Sequence, residues 1–142
     1  MGRGLAKHGE VIMTVGDAVG MSVGLILVAL AAGLIATLSA HDAVERNKLI
    51  GIRTRATKSS SVAWARGHAA ARPALWTLAM TSTASAVAIV LVSITLRGTS
   101  GQGTITGALT GISSALALTL LVLATLTADR AAKKTEHPEG EE

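Results

Sequence analysis

Arg53, Arg55, Lys58 and Arg66 crowd one stretch of this chain, and cations grouped this way can grip phosphate or carboxylate. Arginine presents a planar fork of donors that matches either anion, and each cation close to an anionic lipid surface contributes about 1 kcal/mol. Asn47, Gly51 and Thr54 flank the first of these arginines. An asparagine can cap a turn through its side chain, and a glycine reaches backbone conformations closed to other residues. Trp64 and His68 follow, four apart and therefore on one face of a helix. Two roles fit the stretch. It is a site for anionic headgroups or another ligand, or it is a clasp that docks a loop beneath the rest of the fold.

Other chemistries lack their parts. His41 and Glu45 are four apart with Asp42 beside them, but no further strong ligand stands at a fixed spacing, so no metal is expected. Ser59–Ser61 and His68 could belong to a hydrolase, yet no nucleophile elbow surrounds the serines. Glycine-rich phosphate loops of the Walker or Rossmann type are missing. There is no cysteine, which removes disulfides, thiolate sites and cysteine nucleophiles. With no Phe, no Tyr and two Trp, stacking on nucleic acid has little to work with. The expectation is a non-enzymatic protein with no cofactor, no metal and no nucleic-acid partner.

The elements that must position the basic stretch are apolar. Ala18–Ala40, Ala74–Leu96 and Thr104–Ala128 carry no charged residue. A helix rises about 1.5 Å per residue, so about 20 residues cross a hydrocarbon core of about 30 Å. Charged residues make up 15% of the chain, below the roughly 25% of soluble domains. Mean hydropathy is +0.50. These features predict an all-α integral membrane bundle of three transmembrane helices, with a basic interfacial loop between the first two. Residues 1–17 form a short lead. The acidic end of 129–142, with Pro138 and Gly140, reads as a solvated tail. The first apolar run exceeds the roughly 7–15 residues of a signal-peptide core, so it reads as a span.

The distribution of cations sets the expected orientation. Arg3, Lys7 and Arg97 fall on one side of the three spans. Arg46, Lys48, Arg53, Arg55, Lys58, Arg66, Arg72, Arg130, Lys133 and Lys134 fall on the other. The positive-inside rule places the second set in the cytoplasm and the N-terminus outside, in a multi-pass protein of the plasma (cytoplasmic) membrane.

Packing expectations come from small residues. Gly16, Gly20 and Gly24 recur every fourth position in the first span, and Gly103, Gly107 and Gly111 open the third. Such stripes let backbones approach closely in lipid, where no hydrophobic force draws helices together. Both stripes would lie in the outer leaflet, which predicts that spans one and three pack in parallel there, with homodimerisation as the other use. Thr77, Thr81, Ser82, Thr83, Ser85, Ser93 and Thr95 of the second span can bond back to their own helix or bridge to a neighbour, and the simpler expectation is that they are tolerated there and face inward. Pro73 fits the first turn of that span, with Trp76 as its interfacial anchor. Ser59–Arg72 reads as a short interfacial helix, N-capped within Ser59–Ser61, with Trp64 at headgroup level.

The string Asn47-Lys-Leu-Ile-Gly51-Ile-Arg53-Thr54, followed by Trp64 and His68, resembles the signature of the SdpI-like family of small membrane proteins. The resemblance covers about residues 44–75, with the flanking spans alike in hydropathy only. Arg55 stands where the family pattern has Pro, and Gly67 precedes His68 where it has a Thr-like residue. The family's namesake is longer, with further spans. The resemblance implies immunity to a membrane-active peptide toxin or associated signalling, with Asn47, Gly51, Arg53, Thr54, Trp64 and His68 as motif residues. The partners it implies are the toxin or a cytoplasmic regulator. A second expectation, independent of the resemblance, is a small accessory subunit held in a larger membrane complex by the glycine faces.

Overall fold

Gly33 of the first helix lies against Ala79 of the second, close enough that a Cβ on the glycine would sit 3.8 Å from that of the alanine. Small residues at such crossings set the architecture. The computed structural model describes residues 15–40 and 51–135, and these form α1 (Val15–Ala40), α2 (Ser61–Thr95) and α3 (Gln102–Lys133). All three are long and apolar enough to cross a membrane, as in a multi-pass membrane protein. The expected all-helical bundle is the fold observed among the described residues.

α2 is the middle helix. It packs along both neighbours, whereas α1 and α3 barely meet. The end of α1 (Ala32, Ala36) lies with Ala71, Leu75 and Leu78 near the start of α2, and the start of α1 (Ala18, Leu25) lies with Ala86 and Ile89 further along it. The two helices are therefore antiparallel. Ala124 and Ala128 near the end of α3 join the first of these clusters, so α3 is antiparallel to α2 as well.

This arrangement corrects the predicted contact between spans one and three. Gly16, Gly20, Gly24 and Gly111 are exposed, and a Cβ on Gly20, Gly24 or Gly111 would meet nothing within 4 Å. Gly103 and Gly107 are half-buried. The buried face of α1 is instead Ala18, Ser22, Leu25, Ala29, Ala32, Ala36 and Ser39. Their spacing alternates between four and three, the period of a coiled-coil seam, so the face stays turned toward α2 along the whole helix. Ser22 strengthens it by donating to its own Ala18 carbonyl at 2.8 Å and to the Ala86 carbonyl of α2 at 3.3 Å. An apolar cleft of about 450 Å³, lined in part by Met21, Gly24, Leu25, Thr110 and Ser114, separates α1 from α3.

α2 and α3 meet through alanines. Ala63, Gly67 and Ala71 of α2 recur every fourth residue, as do Ala124, Ala128 and Ala132 of α3, and all six are buried. Here the close approach expected of small residues is realised: a Cβ on Gly67 would lie 3.0 Å from the Ala128 carbonyl oxygen.

Pro73 is not in a first turn. The 35-residue α2 runs through it without a break. The segment expected to be a separate interfacial helix is the first third of α2, N-capped by Ser60, whose hydroxyl accepts from the Ala63 amide at 3.0 Å. A 35-residue helix is about 52 Å long, roughly 20 Å more than the hydrocarbon core. The surplus length matches the end bearing Arg66, His68 and Arg72, the charged part of the helix. The hydroxyls of span two do not all face inward: Thr77, Thr83 and Thr95 are exposed, and Thr77, Thr81 and Thr83 donate to the carbonyls of Pro73, Thr77 and Ala79 in their own helix. Ser82 and Ser93 differ, being buried without a hydrogen-bond partner for the hydroxyl.

Candidate functional site: a clasp at the head of the second helix

Residues 51–60 return beneath the bundle and close on the projecting end of α2. Ile52 fixes the return. Its amide donates to His68 Nε2 at 2.9 Å. An amide can only donate, so Nε2 is the acceptor and the proton resides on Nδ1. Nδ1 in turn donates to the Trp64 carbonyl at 2.9 Å. Both imidazole nitrogens are thus taken up by backbone, in the neutral form. Burial pushes His68 below its ordinary pKa of 6.5, and the bond to the Trp64 carbonyl opposes this in part. Trp64, 3% exposed, lies beside the imidazole with ring centroids 4.2 Å apart. The expectation of a headgroup-level Trp64 is therefore corrected: the loop covers the indole and removes it from the interface.

Gly51 is where the loop touches both rings. Its φ is +126°, a region that side chains rarely adopt, and a Cβ there would stand 2.5 Å from His68 Nε2 and 2.9 Å from the Trp64 ring. Conformation and space both demand glycine at this point.

Thr54 and Thr57 tie the rest of the loop. Thr57, fully buried, donates its hydroxyl to the Ile52 carbonyl at 2.9 Å and accepts from the Thr54 amide at 2.9 Å. The Thr57 amide donates to the Thr54 hydroxyl at 3.1 Å. Reciprocal side-chain-to-amide bonds satisfy backbone groups that a tight turn leaves without partners. The loop is also fastened to α3. Lys133, paired with Asp129 at 2.7 Å, and the Thr54 hydroxyl together hold the Asp129 carboxyl below its usual range.

Of the predicted site residues, Gly51, Thr54, Trp64 and His68 come together. Asn47 lies outside the described residues, as do His41, Asp42 and Glu45. Arg53 and Arg55 are exposed. Three participants were missed by sequence reasoning. Thr57 was detectable as the fourth residue of a Thr-x-x-Thr pair. Gly67 was detectable as the centre of Ala63-Gly67-Ala71. Asp129 gave no signal, because its partner Thr54 is distant in the chain. Among the described residues no three His, Asp or Glu gather as metal ligands.

Gly67 yields a direct prediction. In Gly67→Ala the new methyl meets the Ala128 carbonyl oxygen at 3.0 Å and the Thr57 methyl at 2.9 Å. Backbone oxygen cannot rotate away as a side chain does, so α2 and α3 must separate locally, at about 1–3 kcal/mol. Cross-linking between cysteines placed at Arg66 and Arg130 should slow relative to the otherwise identical Gly67 protein, and an unchanged rate would refute the close crossing. Compared with protein-family models, curated proteins and solved structures, the chain matches none.

Proposed function

We propose that this chain is a non-enzymatic protein of the cytoplasmic membrane, N-terminus outside and C-terminus cytoplasmic, whose clasp holds a basic loop rigid at the cytoplasmic surface. The carrying observation is the division of labour within the motif. Gly51, Thr54, Trp64 and His68 close the buried knot, and the side chains of Arg53 and Arg55 lie at the surface of the same loop. A loop ordered in this way loses little conformational entropy on binding. Its cations suit anionic headgroups and an acidic surface on a cytoplasmic regulator. The resemblance to the SdpI-like family points this arrangement toward immunity to a membrane-active peptide toxin or toxin-dependent signalling. A deletion strain challenged with membrane-active peptides tests it. Sensitivity should rise in the deletion strain and be rescued by the wild-type chain but not by Arg53→Ala expressed at equal level. Equal resistance of the deletion and parent strains rejects the immunity reading.

A second reading is an accessory subunit or homo-oligomer, favoured by the exposed glycines Gly16 and Gly20 of α1, the second with nothing within 4 Å of a Cβ. Gly20→Leu adds bulk where nothing lies within 4 Å, so it should leave the isolated protein folded while removing a stoichiometric partner. Affinity purification in mild detergent with mass spectrometry decides. A fixed-ratio partner lost in Gly20→Leu establishes the subunit reading, and recovery of the chain alone in both proteins dismisses it.

A further inference from the structure

On the membrane-facing side of the crossing between α1 and α2 lies an apolar groove of about 530 Å³. Gly33 and Ala79 form its floor, and Leu30, Trp76, Met80 and Thr83 are among its walls. The volume falls within the range of small-ligand sites, about 300–1,000 Å³. Trp76, 40% exposed, stands at the end nearer the start of the apolar run of α2. Arg72 precedes it by one turn on the same face and is half-buried. Continuing along α1, the matching face ends at Thr37, which is exposed and whose hydroxyl donates to Gly33. An apolar trough thus leads past an indole to a guanidinium. That order matches the order of a phospholipid from chain to interface to phosphate.

We infer that this groove is a binding site for one anionic phospholipid, an acyl chain lying between Gly33 and Ala79 and its phosphate on Arg72. The charge at the mouth selects the occupant. Arg72 lies where the apolar run ends, at the depth of headgroups, and a guanidinium there pairs with phosphate in a fork geometry. A zwitterionic lipid brings its own ammonium to the same place and gains less. The small floor residues matter because any larger side chain would fill the trough. The inference narrows the headgroup contact proposed above to a single site. It needs only that the helices sit in lipid, so it can fail while the immunity reading stands, and the reverse.

The chain's two tryptophans permit a direct test. Trp64 is buried within the clasp, so bromine on acyl chains quenches Trp76 selectively. The full chain is reconstituted in vesicles of phosphatidylcholine with increasing brominated phosphatidylglycerol, and in the converse mixture with the bromine on phosphatidylcholine. The expected relative association constant favours phosphatidylglycerol about fivefold, the value of one cation at an anionic surface. Arg72→Gln should abolish that preference. Arg66→Gln, about 9 Å further along the helix from the groove, should retain it. Thr83→Phe, which fills the trough from an exposed position, should reduce quenching by both lipids with helix content unchanged. Equal constants for the two lipids mean an ordinary lipid-facing surface and overturn the site. So does a preference that survives Arg72→Gln, and so does an equal loss in Arg66→Gln, which would mark diffuse attraction to the basic end. Failure of either brominated lipid to quench would show that lipid does not enter the groove.

Discussion

Gly51→Ala should unfasten the loop from α2 and cost about 2–4 kcal/mol, the largest effect expected of any single methyl added to this protein. Two penalties coincide. At φ +126° an alanine is strained, at about 1–3 kcal/mol. Its methyl would also stand 2.5 Å from His68 Nε2 and 2.9 Å from the Trp64 ring, and neither ring can retreat, since both are buried and His68 is bonded at both nitrogens. Relief requires that the loop lift away, which breaks the bond from the Ile52 amide and wets Trp64. Reversible SDS unfolding from mixed micelles should show the loss of stability, and the Trp64 component of the emission should shift to the red. Stability within about 0.5 kcal/mol of wild type, with unshifted emission, would mean that Gly51 does not lock the loop.

The second large effect is at His68. His68→Phe keeps a ring beside Trp64 but removes the acceptor for the Ile52 amide, leaving a buried donor unpaired at about 1–3 kcal/mol. Acid should act in the same direction on the wild type. Protonation places a second N–H opposite that of Ile52, and the bond cannot persist. The folded-state pKa of His68 lies below the unfolded value of 6.5, so the neutral form is the one that folding favours. Its contribution is fully present above pH 6.5 and is lost as pH falls below that value. Asp129, likewise held low, also loses its contribution on acidification, but only below the ordinary carboxylate value of 3.8. Unfolding measured between pH 7.5 and 4.5 should therefore show wild type losing stability, while His68→Phe, already weaker, stays level. Parallel slopes in the two proteins would assign the pH dependence to another group.

These two residues also show how much of the site could be read from the chain. Gly51, Trp64 and His68 were identifiable as members of one motif, and a docking clasp was one of the two roles foreseen for them. The particular bonds were not. That His68 accepts from Ile52 rather than facing a ligand depends on where the loop returns, and Trp64 is buried only because that loop covers it. An amphipathic position at a membrane surface looks the same in sequence whether lipid or protein lies against it.

The glycines illustrate the same limit in the spans. Gly16-Gly20-Gly24 and Ala63-Gly67-Ala71 are both small residues at fourfold spacing, and only the second is a contact within the chain. Local pattern states that a helix can be approached closely, but not by which neighbour.

By itself, the sequence determined that the described chain forms three long apolar helices, because charge is excluded from three runs and any backbone in lipid must satisfy its own hydrogen bonds. It also determined which residues carry cations at one end, and hence the orientation to be tested. Tertiary structure alone decided that α2 lies between α1 and α3, that alanine rather than glycine faces form the seams, that Pro73 is inside a continuous helix, and that Asp129 meets Thr54. The reason is common to all four. Each depends on contacts between residues far apart in the chain, made in a lipid-like setting where every apolar face is equally acceptable to the solvent and only the fit of one surface to another discriminates.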